Sequence, residues 1–175
     1  MRNVELKAHC PDPMGVLATC QELVHRGEAS DGGILWQEDT YFHVSHGRLK
    51  LREQDPGGST LVQYDRADEA HQRLSSYHLV PVESPEVLKR ALGAALGVEE
   101  RVVKHRHLFL WQNVRIHLDK VEDLGDFIEL EAVAEENSDL SREHRQVTHL
   151  RQVLSIEDGQ ICSQGYAQLL RKRAR

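Results

Sequence analysis

The chain has 175 residues, enough for one hydrophobic core of ordinary domain size and little more, so a single domain over 1–175 is expected. Its 22 Lys and Arg against 28 Asp and Glu leave a net charge of −6, with 39% hydrophobic and 29% charged residues; that balance excludes wholesale disorder and argues against general nucleic-acid binding. No apolar run reaches the roughly 20 residues of a membrane span, the first residues lack a signal-peptide core, and Cys10, Cys20 and Cys162 are too few and too scattered for a disulfide framework or a zinc set. A cytoplasmic protein with no membrane and no nucleic-acid partner is expected.

In chain order, alternation of apolar and polar residues first marks a strand at 2–9. Asp12 and Pro13 then form an N-cap and first-turn pair opening a helix that ends near Gly27. Strands follow at 34–45, 47–54, 60–66 and 73–82, with turns at 45–47 and 55–59 and a loop at 27–33. Ser84 and Pro85 repeat the helix-opening pair, and Gly97 supplies the stop. Three more strands, 101–110, 114–121 and 126–135, precede a helix at 139–154 that places Leu140, Val147, Leu150 and Leu154 on one face. The segment GYAQLLRKRAR adds a short fourth helix, with 171–175 expected as a solvated tail.

The strands segregate charge by face. Arg48, Lys50 and Arg52 oppose Leu49 and Leu51; Glu5 and Lys7 oppose Val4 and Leu6; Arg115, His117 and Asp119 oppose Val114, Ile116 and Leu118; Glu129 and Glu131 oppose Ile128 and Leu130. Tyr64 and Arg66, and Lys104 and Arg106, alternate likewise. A solvated or salt-bridged outer face accounts for any single strand. In one curved antiparallel sheet, however, so many like charges on one face repel unless a polyanion joins them. Lys and Arg suit phosphate oxygens, and clustered carboxylates suit Mg²⁺ or Mn²⁺ held jointly with phosphate. A metal–phosphate site on the inner face of a sheet is the chemistry this pattern favours.

Other candidates weigh less. His43 and His46 span an expected hairpin, and His105 and His107 fall on the face opposite Lys104 and Arg106, so neither pair makes a zinc site. His117 shares the face of Arg115 and is a candidate for the charged interior. Cys10 and Cys20 read as small buried hydrophobes, and Trp36 and Trp111 as rings packed under helices.

The stretches NVELKA, QEDTYFHVSHGRLKLRE, LVQYDR and RIHLDKVEDLGDFIELE, with the closing GYAQLL, together resemble the CYTH family of class IV adenylyl cyclases and thiamine triphosphatases, the triphosphate tunnel metalloenzymes. The resemblance runs from residue 3 to about 135 and includes the Tyr-x-x-Leu-Leu ending. It implies an α+β, mainly antiparallel protein: an eight-stranded closed β-barrel with helices packed outside and a charged lumen that binds a small-molecule triphosphate with Mg²⁺ or Mn²⁺. By motif, Glu5 and Lys7 fall on catalytic positions. Lys7, Lys50, Arg52, Arg66, Lys104, Arg106 and Arg115 resemble phosphate-binding cations, and Glu5, Asp119, Glu129 and Glu131 resemble metal-binding acids. The first acid of the N-terminal motif is replaced by Asn3, which offers only a neutral oxygen. The implied activity is triphosphate hydrolysis releasing orthophosphate. Cyclisation of ATP with loss of pyrophosphate, and triphosphate binding without turnover, are the alternatives; a homodimer is left open.

Overall fold

The computed structural model describes residues 2–66 and 73–174, without the side chains of 66, 73 and 74. Eight strands run β1 (Arg2–His9), β2 (Ser30–Phe42), β3 (Arg48–Asp55), β4 (Gly58–Arg66), β5 (Arg73–Val82), β6 (Val98–Trp111), β7 (Val114–Val121) and β8 (Gly125–Ala134). They close into an antiparallel barrel of order β1-β5-β4-β3-β2-β6-β7-β8. Closure leaves no sheet edge and forces alternate residues of every strand into the interior. The fold expected from sequence is the fold observed.

Helices α1 (Pro13–His25), α2 (Pro85–Leu96), α3 (Ser141–Val153) and α4 (Tyr166–Arg173) lie outside the wall or across one end. Asp12 caps α1, its Oδ1 accepting the Gly15 N–H at 3.0 Å, with Pro13 in the first turn. Ser84 holds the matching place before α2 but makes no side-chain cap bond, and Gly97 ends that helix at φ +80°. Gly47 admits the turn into β3, because a Cβ at its φ of +62° would meet the Tyr64 carbonyl oxygen at 2.7 Å. Two expectations shift: β2 begins at Ser30, inside the expected loop, and β6 extends back to Val98, directly after α2. Long cross-strand pairing between β2 and β6 absorbs both stretches.

The main core is external to the lumen. Val4, Leu6 and Ala8 of β1, Phe109 and Trp111 of β6, Val114 and Ile116 of β7, and Ile128, Leu130 and Ala132 of β8 pack against Cys20 of α1, Val147 and Leu150 of α3, and Leu154 directly after α3. Trp111 stacks on His149 of α3 at 5.4 Å. A second, smaller cluster fills one end of the barrel: Tyr41, Val102, Val121 and Phe127 meet Tyr166 and Ala167 at the start of α4. That helix closes this mouth. The three cysteines are free and buried, and burial pushes the Cys20 thiol up to about 12. His107 pairs with Asp31 at 2.8 Å outside the lumen. Arg171, expected in a solvated tail, pairs with Glu99. Among the described residues no helix is long and apolar enough to cross a membrane.

Candidate active site

The interior is built from two matching units. On β2 and β3, Asp39 stands directly opposite Arg52. Arg52 donates Nε and Nη2 to the two Asp39 oxygens at 2.7 Å each, and Lys50 Nζ donates at 2.8 Å. On β6 and β7, Asp119 stands directly opposite Arg106. Arg106 donates Nε and Nη2 at 2.6 Å each, Lys104 Nζ at 2.9 Å, and the Tyr166 hydroxyl at 2.8 Å. Each unit is a Lys-x-Arg strand whose cations are braced by one buried Asp, and β2 and β6 are neighbours, so the units sit side by side.

Arg106 also donates to Glu129 at 2.6 Å, and Glu129 accepts Lys7 Nζ at 2.9 Å. The Lys7 ammonium lies 3.5 Å from the centre of the Tyr166 ring, and Lys104 4.8 Å; both cation–π contacts hold the ammonium groups over the floor that α4 provides. Among the described side chains, six cations, Lys7, Lys50, Arg52, Lys104, Arg106 and Arg115, thus face four carboxylates, Glu5, Asp39, Glu129 and Glu131, around a cavity of about 210 Å³, while Asp119 is engaged by Lys104 and Arg106.

Burial raises the cost of every charge here, and the neighbours decide which survive. Taken alone, burial would raise the carboxyls of Asp39, Asp119 and Glu129. Arg52 with Lys50, Arg106 with Lys104, and Lys7 overcome it respectively and hold all three well below the usual carboxylate range. The lysines lose that contest: burial and Arg52 push Lys50 down to about 7, and burial and Arg106 push Lys104 down to about 8. A nearby anion favours the charged form of both lysines and raises them again. His117, buried between Glu129 and Glu131 at 3.7 and 4.0 Å, is pushed below its ordinary value by burial and then by Arg106.

Beyond the two units the interior turns acidic. Glu5 and Glu131 are direct cross-strand partners on β1 and β8, both lining the cavity. Like charges so placed destabilise a sheet unless a cation relieves them. Beside them, buried Asn3 donates its amide N–H to Glu131 Oε1, while its own Oδ1 finds no protein donor. Arg115 approaches Glu131 at 3.4 Å with its side chain 46% exposed. Two carboxylates and an unbonded amide oxygen are hard donors of the kind Mg²⁺ and Mn²⁺ take together with phosphate oxygens. Among the described residues no three His, Cys, Asp or Glu side chains converge as an ion cage. Burial would raise the Glu131 carboxyl, but His117 and Arg115 hold it low, keeping it available as an anion.

Of the residues singled out from sequence, Glu5, Lys7, Lys50, Arg52, Lys104, Arg106, Arg115, Glu129 and Glu131 line one cavity. The Arg66 side chain lies outside the described residues. Asp119 reaches the same interior with its oxygens engaged by Lys104, Arg106 and Tyr166. Sequence reasoning missed Asp39, Tyr41, Tyr77 and Tyr166 as lining residues. Asp39 was within reach, since Gln37, Asp39 and Tyr41 alternate on β2 as the cations do on β3.

The CYTH domain family matches residues 1–166. No curated protein matches the chain. Among solved structures, a protein from Pyrococcus horikoshii OT3 is 22% identical with a TM-score of 0.76, covering 95% of this chain and 98% of its own. A Vibrio parahaemolyticus structure described as a putative adenylate cyclase is 18% identical with a TM-score of 0.76, covering 97% of each chain. A conserved hypothetical protein from Pyrococcus furiosus is 19% identical with a TM-score of 0.74, covering 95% of this chain and 99% of its own. At these identities the structures establish the shared fold. With the barrel closed, its interior charged and the family match spanning nearly the whole length, this chain belongs to the CYTH domain family.

Proposed function

We propose that the protein is a divalent-metal-dependent enzyme that binds a triphosphate in the barrel and hydrolyses its terminal phosphoanhydride, releasing orthophosphate. The observation that carries this reading is the side-by-side pair of Asp-braced Lys-x-Arg units, which offers two bidentate-capable guanidinium groups and two ammonium groups to adjacent phosphoryl groups. Phosphoryl transfer asks the protein mainly to position the phosphates and to offset charge on the leaving oxygen. Arg52 and Arg106 are held in place by carboxylates before substrate arrives, so little reorganisation accompanies binding. Lys7, fixed between Glu129 and the Tyr166 ring, supplies a further cation to the reacting end. Arg115 gathers the anion at the more exposed side.

Glu5 and Glu131, with Glu129 within reach, are the residues that would hold Mg²⁺ or Mn²⁺, while Asp119 serves as the brace of Lys104 and Arg106. When bound, the ion would polarise a phosphoryl oxygen and the attacking water. Replacement of an acid by Asn3 reduces the charge at this end and fits one ion better than two.

Cyclisation is the second reading, favoured by the description of the Vibrio structure as a putative adenylate cyclase. Incubation with ATP, tripolyphosphate or thiamine triphosphate and either ion, followed by product analysis, separates the two. Orthophosphate supports hydrolysis; cyclic AMP with equimolar pyrophosphate overturns it in favour of cyclisation. Tight binding without turnover across several metals overturns both.

A further inference from the structure

Two rows of side chains cross β1, β8 and β7 on the inner wall. Lys7, Glu129 and His117 form one row; Glu5, Glu131 and Arg115 form the next. In the first row both oxygens of Glu129 are engaged, Oε1 by Lys7 and Oε2 by Arg106. The second row sets two acids side by side, with Asn3 on Glu131 Oε1 and Arg115 approaching Glu131 Oε2 at 3.4 Å. His117 stands between the rows, 5% exposed and lining the cavity.

The two ring nitrogens of His117 face the two acids. Nδ1 lies 3.7 Å from Glu129 Oε2 and Nε2 lies 4.0 Å from Glu131 Oε2, both longer than a hydrogen bond. Among the described residues Nδ1 is buried without a hydrogen-bond partner, as is Asn3 Oδ1 beside it in the same lining. A neutral imidazole carries one N–H and one lone pair. Between two carboxylates it offers its proton to one alone, and its lone pair then points at the other anion. An imidazolium would donate to both, and neither separation is short enough for that. A lone pair and a carboxylate oxygen facing each other repel unless a cation lies between them. Two ligand bonds of about 2.1 Å each reach roughly 4.2 Å end to end, so the gap between Nε2 and Glu131 admits an ion.

We propose that His117 Nε2 is a ligand of the divalent ion, sharing it with Glu131 and Glu5, and that this nitrogen makes the site select Mn²⁺ over Mg²⁺. The inference rests on the metal-dependent triphosphate reading above and deepens it, because carboxylates alone accept either ion. Imidazole nitrogen is a softer donor than carboxylate oxygen and Mg²⁺ is the harder ion, so this donor favours Mn²⁺. Glu129, held by Lys7 and Arg106, is the acceptor that Nδ1–H faces, and it fixes the tautomer that turns the Nε2 lone pair toward Glu131. The Arg115 side chain is 46% exposed, which leaves it room to move off Glu131 when the ion binds.

Pulsed electron paramagnetic resonance of Mn²⁺ bound to the full chain with tripolyphosphate tests this. The spin echo is expected to carry the nitrogen modulation of a coordinated imidazole, to change frequency when the histidines are labelled with the heavy nitrogen isotope, and to lose the modulation in His117→Gln. Labelling needs no substitution, so that result does not depend on how the variant folds. In titration calorimetry His117→Gln is expected to weaken Mn²⁺ about tenfold, the scale of disturbing a ligand set, and Mg²⁺ far less. Bound Mn²⁺ without nitrogen modulation, or modulation that persists unchanged in His117→Gln, overturns this inference and leaves the triphosphate reading standing. A wild-type chain that binds tripolyphosphate neither with nor without Mn²⁺ overturns both.

Discussion

Lys50 shows how one residue couples burial to ligand chemistry. Burial and Arg52 push it down to about 7, against 10.5 in an unfolded chain, so the folded protein holds fewer protons than the unfolded one between those values. Stability therefore rises through this window as pH increases, while below about 7 the folded state bears the cost of a buried cation beside Arg52. A bound phosphate favours the charged form and pulls Lys50 back up. Tripolyphosphate binding at pH 9 is thus expected to take up close to one more proton in the wild type than in Lys50→Arg, measured by calorimetry in buffers of different ionisation enthalpy. Equal uptake in the two proteins would contradict it. The alternation of Lys50 with Leu49 and Leu51 was legible in sequence; its brace was not, because Asp39 lies 11 residues away and meets Lys50 only once β2 and β3 pair.

At the scale of elements, the strands were legible because alternation survives even where boundaries blur. Ser30–Gly33 reads as loop from its glycines and joins β2 only through pairing with Leu108–Leu110 of β6, a partner that local pattern cannot reveal. The place of α4 was equally hidden. Tyr166, Leu169 and Leu170 mark an amphipathic turn, yet nothing local says that the turn lies across a barrel mouth with Tyr166 reaching Asp119. That contact makes α4 part of the site as well as of the wall. Replacing Tyr166 with Phe removes a hydrogen bond to a buried carboxylate and is expected to lower unfolding free energy by about 1.5–3 kcal/mol in urea titrations. The ring and its cation–π contacts remain, so triphosphate affinity should fall far less than in Tyr166→Ala. Equal losses in the two variants would show that the ring itself contributes nothing.

For the whole molecule, barrel closure turns a sequence pattern into a site. Eight strands with one charged face each make a charged interior only when the first strand meets both the last and the fifth, as β1 does. Lys7 then faces Glu129, and Glu5 faces Glu131. The inward set was legible because closure preserves strand period; the pairing of cations with carboxylates was not, because register across distant strands decides it. The central claim is that this interior holds a triphosphate on its Asp-braced cations. It is tested most directly by calorimetry of tripolyphosphate with the wild type and with Asp39→Asn/Lys50→Met/Arg52→Met, which removes one whole unit without stranding a buried charge, after thermal unfolding has established that the variant folds. The expected result is one tripolyphosphate per wild-type chain and affinity at least about a hundredfold weaker in the variant, the loss of two charge-assisted contacts. Affinities within about twofold of each other would contradict the account.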